Sequence, residues 1–177
     1  MKNKLIILIP LFAALILTAC APKTKEFRSE AGNFSVRAPA MLEEQPQTID
    51  MTYGKAETHT YLAEHEGILY VAAYSLFSEE IVQQGNPVEM LNNARDSMLA
   101  SLSGKLILEK SKSLGDYPGR DLVVEMKMSD GAEGVMIVRV YLVNNCLYQV
   151  MVLADKEDEN APAIIRFLDS FKLIADP

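Results

Sequence analysis

Three turn signals in the second half of the chain constrain its fold most: Tyr117-Pro118-Gly119-Arg120, Asp130-Gly131 and Asn144-Asn145. Pro-Gly at the centre of four residues favours a type II turn, and Asp-Gly or Asn-Asn between apolar runs favours a two-residue hairpin loop. Between these signals lie runs from Arg120 to Ser129, Ala132 to Val143 and Cys146 to Ala154, which predict a three-stranded antiparallel meander. Two-residue loops at both hairpins would pair Tyr141 with Tyr148 on one side and Arg120 on the other, and set Arg139 opposite Leu122 and Val150. One face would then carry Leu122, Val124, Met126, Val135, Ile137, Val150 and Val152. The other would carry Val123, Met136, Val138, Val140, Leu142, Leu147, Met151 and Leu153. An antiparallel sheet apolar on both sides needs cover on both, so the expected class is α+β, an antiparallel β-sheet packed between helices.

The remaining segments fit that plan. Gly32 to Pro39 alternates Phe34 and Val36 with Ser35 and Arg37, a half-buried strand stopped by proline. Thr48 to Thr52 is a short candidate strand, and Ala56 to His65 with Ile68 to Phe77 reads as a hairpin turning at Glu66-Gly67. A helix starts at Asn86, a good N-cap, with Pro87 at the first helical position and Glu89 close to a capping-box place. Leu91, Ala94, Met98 and Leu102 form its apolar face, and Gly104 is expected to end it. A strand follows from Lys105 to Ser111. After the meander, Asn160 and Pro162 open a second helix whose Ile164, Phe167, Leu168 and Phe171 face inward, and Lys172-Leu173-Ile174 can add a final short strand or turn.

The first 20 residues carry an address. Lys2 and Lys4 precede a 13-residue stretch, Leu5 to Leu17, that is apolar apart from Pro10. That is too short to cross a bilayer core, which takes about 20 helical residues, and it has the layout of a cleaved signal. Leu17-Thr18-Ala19-Cys20 at its end resembles the lipobox of bacterial lipoproteins. The resemblance implies cleavage after residue 19 and a diacylglycerol thioether on Cys20, the thiolate being the nucleophile that chemistry requires. Two or three acyl chains anchor durably where one does not. Ala21 rather than Asp after the cysteine resembles the outer-membrane sorting default of lipoproteins in two-membrane hosts; with one membrane the site would be the outer face of the cytoplasmic membrane. Residues 20–26 read as lipidated terminus and short tether, reaching at most roughly 20 Å, and residues 27–177 as one domain.

Charge and cysteine content narrow the partners. Without Lys2 and Lys4, 15 cations face 24 carboxylates, a net charge of −9. That acidic balance disfavours nucleic acid and anionic lipid as partners, since both need a positive surface. With Cys20 acylated, Cys146 has no disulfide partner, and its apolar surroundings read as those of a small buried thiol.

No catalytic or cofactor signature stands out. His59 and His65 lie on one strand roughly 20 Å apart, too far to share a metal. Met126, Met128, Met136 and Met151 fall at core-like positions rather than in a copper motif. Asp155 to Glu159 lacks the glycine-centred spacing of a calcium loop and fits a solvated approach to the helix. The expectation is therefore a non-enzyme without cofactor or metal. The one candidate ligand group is Arg120, Arg139, Tyr141 and Tyr148, two cations and two aromatics that the expected register gathers at one sheet end. They could hold an anionic head group, and a cross-strand ladder is the ordinary alternative.

Gly32-Asn33-Phe34-Ser35-Val36-Arg37-Ala38-Pro39 and Phe167-Leu168-Asp169-Ser170-Phe171-Lys172-Leu173 look like the opening and closing signatures of PsbP-like domains of the Mog1/PsbP-like fold. The tryptophan often found after the opening proline is missing; the chain has no Trp. The resemblance implies an α/β/α sandwich from about Phe27 to Ile174 and a non-enzymatic assembly or binding role. A membrane-anchored envelope lipoprotein engaging a membrane-proximal protein is the resulting expectation, with small-molecule or lipid binding as the alternative.

Overall fold

Strand pairing follows the hydrophobic pattern closely. The computed structural model describes residues 23–45 and 57–175. In chain order these form β1 (Lys25–Ser29), β2 (Phe34–Ala38), β3 (Glu43–Gln45), β4 (Glu57–His65), β5 (Ile68–Leu76), α1 (Glu79–Gln84), α2 (Pro87–Leu102), β6 (Lys105–Ser111), β7 (Gly119–Lys127), β8 (Glu133–Val143), β9 (Cys146–Asp155), α3 (Pro162–Asp169) and β10 (Lys172–Leu173). The candidate strand from Thr48 to Thr52, the signal and Cys20 lie outside the described residues.

Seven strands make the main antiparallel sheet in the order β3-β4-β5-β9-β8-β7-β6, and β1-β2-β10 make a smaller one. The meander thus has a fourth strand, β6, at its outer edge, where Leu106 and Leu108 flank a bulge. Both faces of the main sheet are covered, as their apolar character requires. On one, Leu91 of α2 is buried with Leu122, Val124, Val138 and Leu147, and Ala94, Met98 and Leu102 pack alongside. On the other, the small sheet and α3 bury Phe34, Val36, Ile164, Phe167 and Phe171 against Val135, Tyr141, Tyr148 and Val150.

Local chemistry explains most element ends. Asn86 Oδ1 accepts the Val88 amide at 2.8 Å, the expected cap of α2. At its far end Ser103, not Gly104, takes the left-handed conformation (φ 49°). Gly104 is required for packing instead, because a Cβ there would stand 2.5 Å from Val124 Cγ1. Glu66 and Gly67 both have positive φ, as a two-residue β4–β5 hairpin demands. Ala161 rather than Asn160 precedes α3, and Asn160 contacts the Glu159 carboxylate. The acidic run winds into a short 3-10 turn, Lys156–Asp158, and Ala161 N–H reaches Asp158 C=O at 2.8 Å, so the chain enters α3 without a side-chain cap.

The register of the meander is correct on one side and shifted on the other. Asn144-Asn145 is a two-residue loop, and Tyr141 pairs with Tyr148 and Arg139 with Val150, as expected. Asp130-Gly131 is not: the β7–β8 loop is Ser129-Asp130-Gly131, with Met128 N–H donating to Ala132 C=O at 2.9 Å and Gly131 at φ +89°. This is a turn closed by a left-handed glycine, the common three-residue hairpin. The extra residue slides β7 by one, so Tyr141 pairs with Gly119 and Arg139 with Asp121. A one-residue slip exchanges faces: Leu122, Val124 and Met126 lie on the α2 side, and Val123 on the side of the small sheet. Nor does Tyr117-Pro118-Gly119-Arg120 turn. Leu114 and Tyr117 bond reciprocally at 3.0 and 3.1 Å around Gly115-Asp116, and Gly119 already belongs to β7.

Candidate functional site

Of the four residues expected together, the structure unites three. Arg139, Tyr141 and Tyr148 share the face beneath the small sheet, whereas Arg120 pairs with Val140 and lies on the face of α2. The cause is the extra loop residue before β8.

Arg139 is 9% exposed. Its Nη1 lies 2.7 Å from Asp169 Oδ1 at the end of α3, and its Nε 3.9 Å from Asp121 Oδ2 on β7. Lys110 pairs across from Asp121 in turn, so charge alternates Lys110, Asp121, Arg139, with Asp169 closing the row from above. Arg139 Nε lacks a hydrogen-bond partner among the described residues. The tyrosines are structural. Tyr141 stacks on Phe171 at 5.8 Å and 11°, and Tyr148 donates its hydroxyl to Gly32 C=O at 2.8 Å. Burial pushes the pKa of both hydroxyls up and keeps them protonated. The arrangement neutralises a buried guanidinium and pins α3 to the sheet, a high-stakes contact because a lone buried charge is costly.

Arg120 belongs to a second network that the sequence did not suggest. Glu109 accepts from Arg120 Nε at 3.1 Å and from Arg95 Nη1 at 2.8 Å, and Arg95 Nε reaches Asp96 at 2.8 Å. Glu109 therefore ties α2 to two meander strands, and the Asp96 carboxylate, followed by that of Glu109, raises the Arg95 pKa.

A third cluster surrounds His59. Its Nδ1 and Nε2 lie 3.0 Å from Glu44 Oε1 and Glu57 Oε1, and its ring stacks on Tyr74 at 4.7 Å and 12°. Hydrogen bonding to Glu44 is the main cause of a raised His59 pKa, opposed by burial. A raised folded-state pKa stabilises fully below the ordinary value of 6.5 and is lost as pH rises through the folded-state value. The expected result is a wild-type melting temperature that falls across the window just above pH 6.5, with the fall absent in His59→Gln; thermal melts across pH check it. Among the described residues no His, Cys, Asp and Glu group could hold a metal ion.

Two clefts open among the described residues near these clusters. One of about 160 Å³ lies between Gly32-Asn33 and Asn144-Asn145, with Tyr74, Cys146 and Tyr148 in its wall. It is smaller than ordinary ligand pockets, and burial pushes the Cys146 thiol up to about 11, leaving it protonated and unreactive at neutral pH. The other, about 620 Å³, is lined by Leu114, Gly115, Asp116, Tyr117 and Leu173. The Gly115-Asp116 turn that shapes it is a recognisable signal in the sequence, masked by the neighbouring Pro118-Gly119.

No family model matches the chain, and no curated protein matches its sequence. Solved structures do match. The cyanobacterial PsbP protein CyanoP from Synechocystis sp. PCC 6803 superposes with a TM-score of 0.61 at 7% identity, covering 88% of this chain and 95% of that one. LpqN of Mycobacterium tuberculosis, described as involved in cell envelope biogenesis, gives 0.50 at 10% identity, covering 85% and 91%.

The chain has a PsbP-like fold.

In this PsbP-like domain the opening and closing signature segments are one unit. Lys172 and Leu173 pair with Ser35 and Phe34, Phe171 stacks on Phe34 at 5.5 Å, and the Asn33 side chain holds the Ala175 amide and carbonyl at 3.0 and 2.9 Å. Gly32 is required there because a Cβ would stand 2.7 Å from the Tyr74 ring. The signatures encode a closure of the fold.

Proposed function

We propose that this protein is a membrane-anchored envelope lipoprotein whose PsbP-like domain is a non-catalytic protein-binding or assembly factor. The observation that carries the reading is distance. The first strand among the described residues begins at Lys25, five residues after the lipobox cysteine, so acylation of Cys20 would hold the domain within about 17 Å of the bilayer surface. A partner must then be membrane-proximal. Among the described residues no helix is long and apolar enough to cross a membrane. In a two-membrane host the anchor would sit in the outer membrane, facing the periplasm.

Photochemical or amine cross-linking in native membranes tests the role. Recovery of a defined membrane-proximal protein, lost when the tether is lengthened, is the expected result; a chain that remains solitary contradicts it. The second reading, small-molecule or lipid binding, is supported by the cleft of about 620 Å³ at Leu114–Tyr117 and Leu173, a volume within the usual range for small ligands. A small molecule co-purifying in native mass spectrometry, displaced by Leu173→Trp, would favour it.

A further inference from the structure

Alternation along β1 and β2 puts Phe27, Phe34, Val36 and Ala38 into the core. Glu26, Arg28 and Arg37 therefore project from the opposite face of the small sheet, where β10 adds Lys172. These side chains are open to solvent: Glu26 is 53% exposed, Arg28 51% and Lys172 67%. Lys172 lies 3.8 Å from Glu26, and Arg28 2.6 Å from Glu30 in the turn after β1. Lys23 and Lys25 lead into the same sheet. The face thus carries three cations, Arg28, Arg37 and Lys172, against Glu26, with Glu30 in the turn at its edge and Lys23 just before β1; by the same alternation Lys25 falls on the Phe27 side. The mature chain has 15 cations and 24 carboxylates, so this face is positive on a strongly acidic molecule.

We propose that the outer face of the β1-β2-β10 sheet rests on anionic phospholipid headgroups and orients the domain on the membrane. The inference builds on the acylated Cys20 of the proposed function. A five-residue tether limits which faces can meet the bilayer, and this face adjoins its end. Charge does the rest: basic side chains near an anionic surface are attracted over about a Debye length, roughly 8 Å at physiological salt. The rest of the mature chain is net negative once these residues are set aside. Whole-chain charge disfavours anionic lipid; its distribution favours contact through one face.

The test uses the mature chain extracted from its host, with acylation verified by intact mass, in phosphatidylcholine vesicles with and without phosphatidylglycerol. Acetylation of lysines is followed by peptide mass spectrometry. Lys172 and Lys127 are matched reporters, 67% and 68% exposed, and Lys127 sits beside the β7–β8 hairpin. The expected result is roughly fivefold slower modification of Lys172 on the anionic vesicles, no change at Lys127, and loss of the difference in Arg28→Glu/Arg37→Glu or at high salt. Equal Lys172 reactivity on both vesicles, in acylated protein, overturns the docking and leaves the anchor standing. An unacylated chain overturns the anchor and the docking together. Protection in native membranes with none on either vesicle overturns lipid in favour of an acidic protein surface.

Discussion

Gly119→Ala is expected to destabilise the protein by about 3 kcal/mol or more, the upper range for overpacking in a closed interior. A Cβ at Gly119 would stand 2.3 Å from Val140 C=O, 2.6 Å from Lys112 C=O and 2.6 Å from the Tyr141 ring. Two of those three contacts are backbone and have no rotamer to retreat to. They belong to the β7–β8 ladder and to the closure of the β6–β7 loop, where Lys112 N–H donates to Gly119 C=O at 3.1 Å and Leu142 N–H to Pro118 C=O at 3.0 Å. Gly131→Ala is the control: φ is +89° with open space around the position, so its cost is conformational strain of about 1–2 kcal/mol. Denaturant titration of both variants separates the two causes; equal small losses would contradict the crowding at Gly119.

Phe34→Ala is expected to cost about 3–5 kcal/mol, against a total stability on the order of 5–15 kcal/mol. Phe34 is fully buried. Its ring lies 6.0 Å from Phe27 and Tyr61, 6.2 Å from Tyr74, 6.1 Å from Tyr148 and 5.5 Å from Phe171. These rings come from β1, β4, β5, β9 and the segment after α3, so the cavity would open where the small sheet, α3 and the main sheet meet. Phe34→Leu retains most of the volume and is expected to lose less than half as much. Calorimetric melts check the pair, and a Phe34→Ala loss under about 1 kcal/mol would show that the small sheet is not part of the cooperative unit.

Much of this architecture is legible in the sequence because it is written in local signals. Asn86-Pro87 marks α2, Glu66-Gly67 marks the β4–β5 hairpin, and Ile164, Phe167 and Leu168 mark the buried face of α3, with Phe171 just beyond its end. What escapes is non-local or hinges on one residue. Asp130-Gly131 suits a two-residue loop and a three-residue loop equally, and only tertiary packing of Leu122 and Val124 against α2 selects the latter. That single choice separates Arg120 from Arg139, Tyr141 and Tyr148. Asp169, the closest partner of Arg139, is 30 residues away on another element, and no periodicity links the two. β1 carries one apolar residue, Phe27, within Lys25–Ser29, and β3 carries none, so neither rises above a polar loop. A chain-wide net charge conceals the basic face of the small sheet for the same reason: the faces exist only once β1, β2 and β10 are paired.

Intact mass of the protein extracted from its host membrane tests the central claim most directly. The account predicts a chain beginning at Cys20, heavier than residues 20–177 by the mass of a diacylglycerol thioether, with or without a further acyl chain on the new amino terminus. A chain retaining residues 1–19, or one beginning elsewhere with an unmodified terminus, contradicts it.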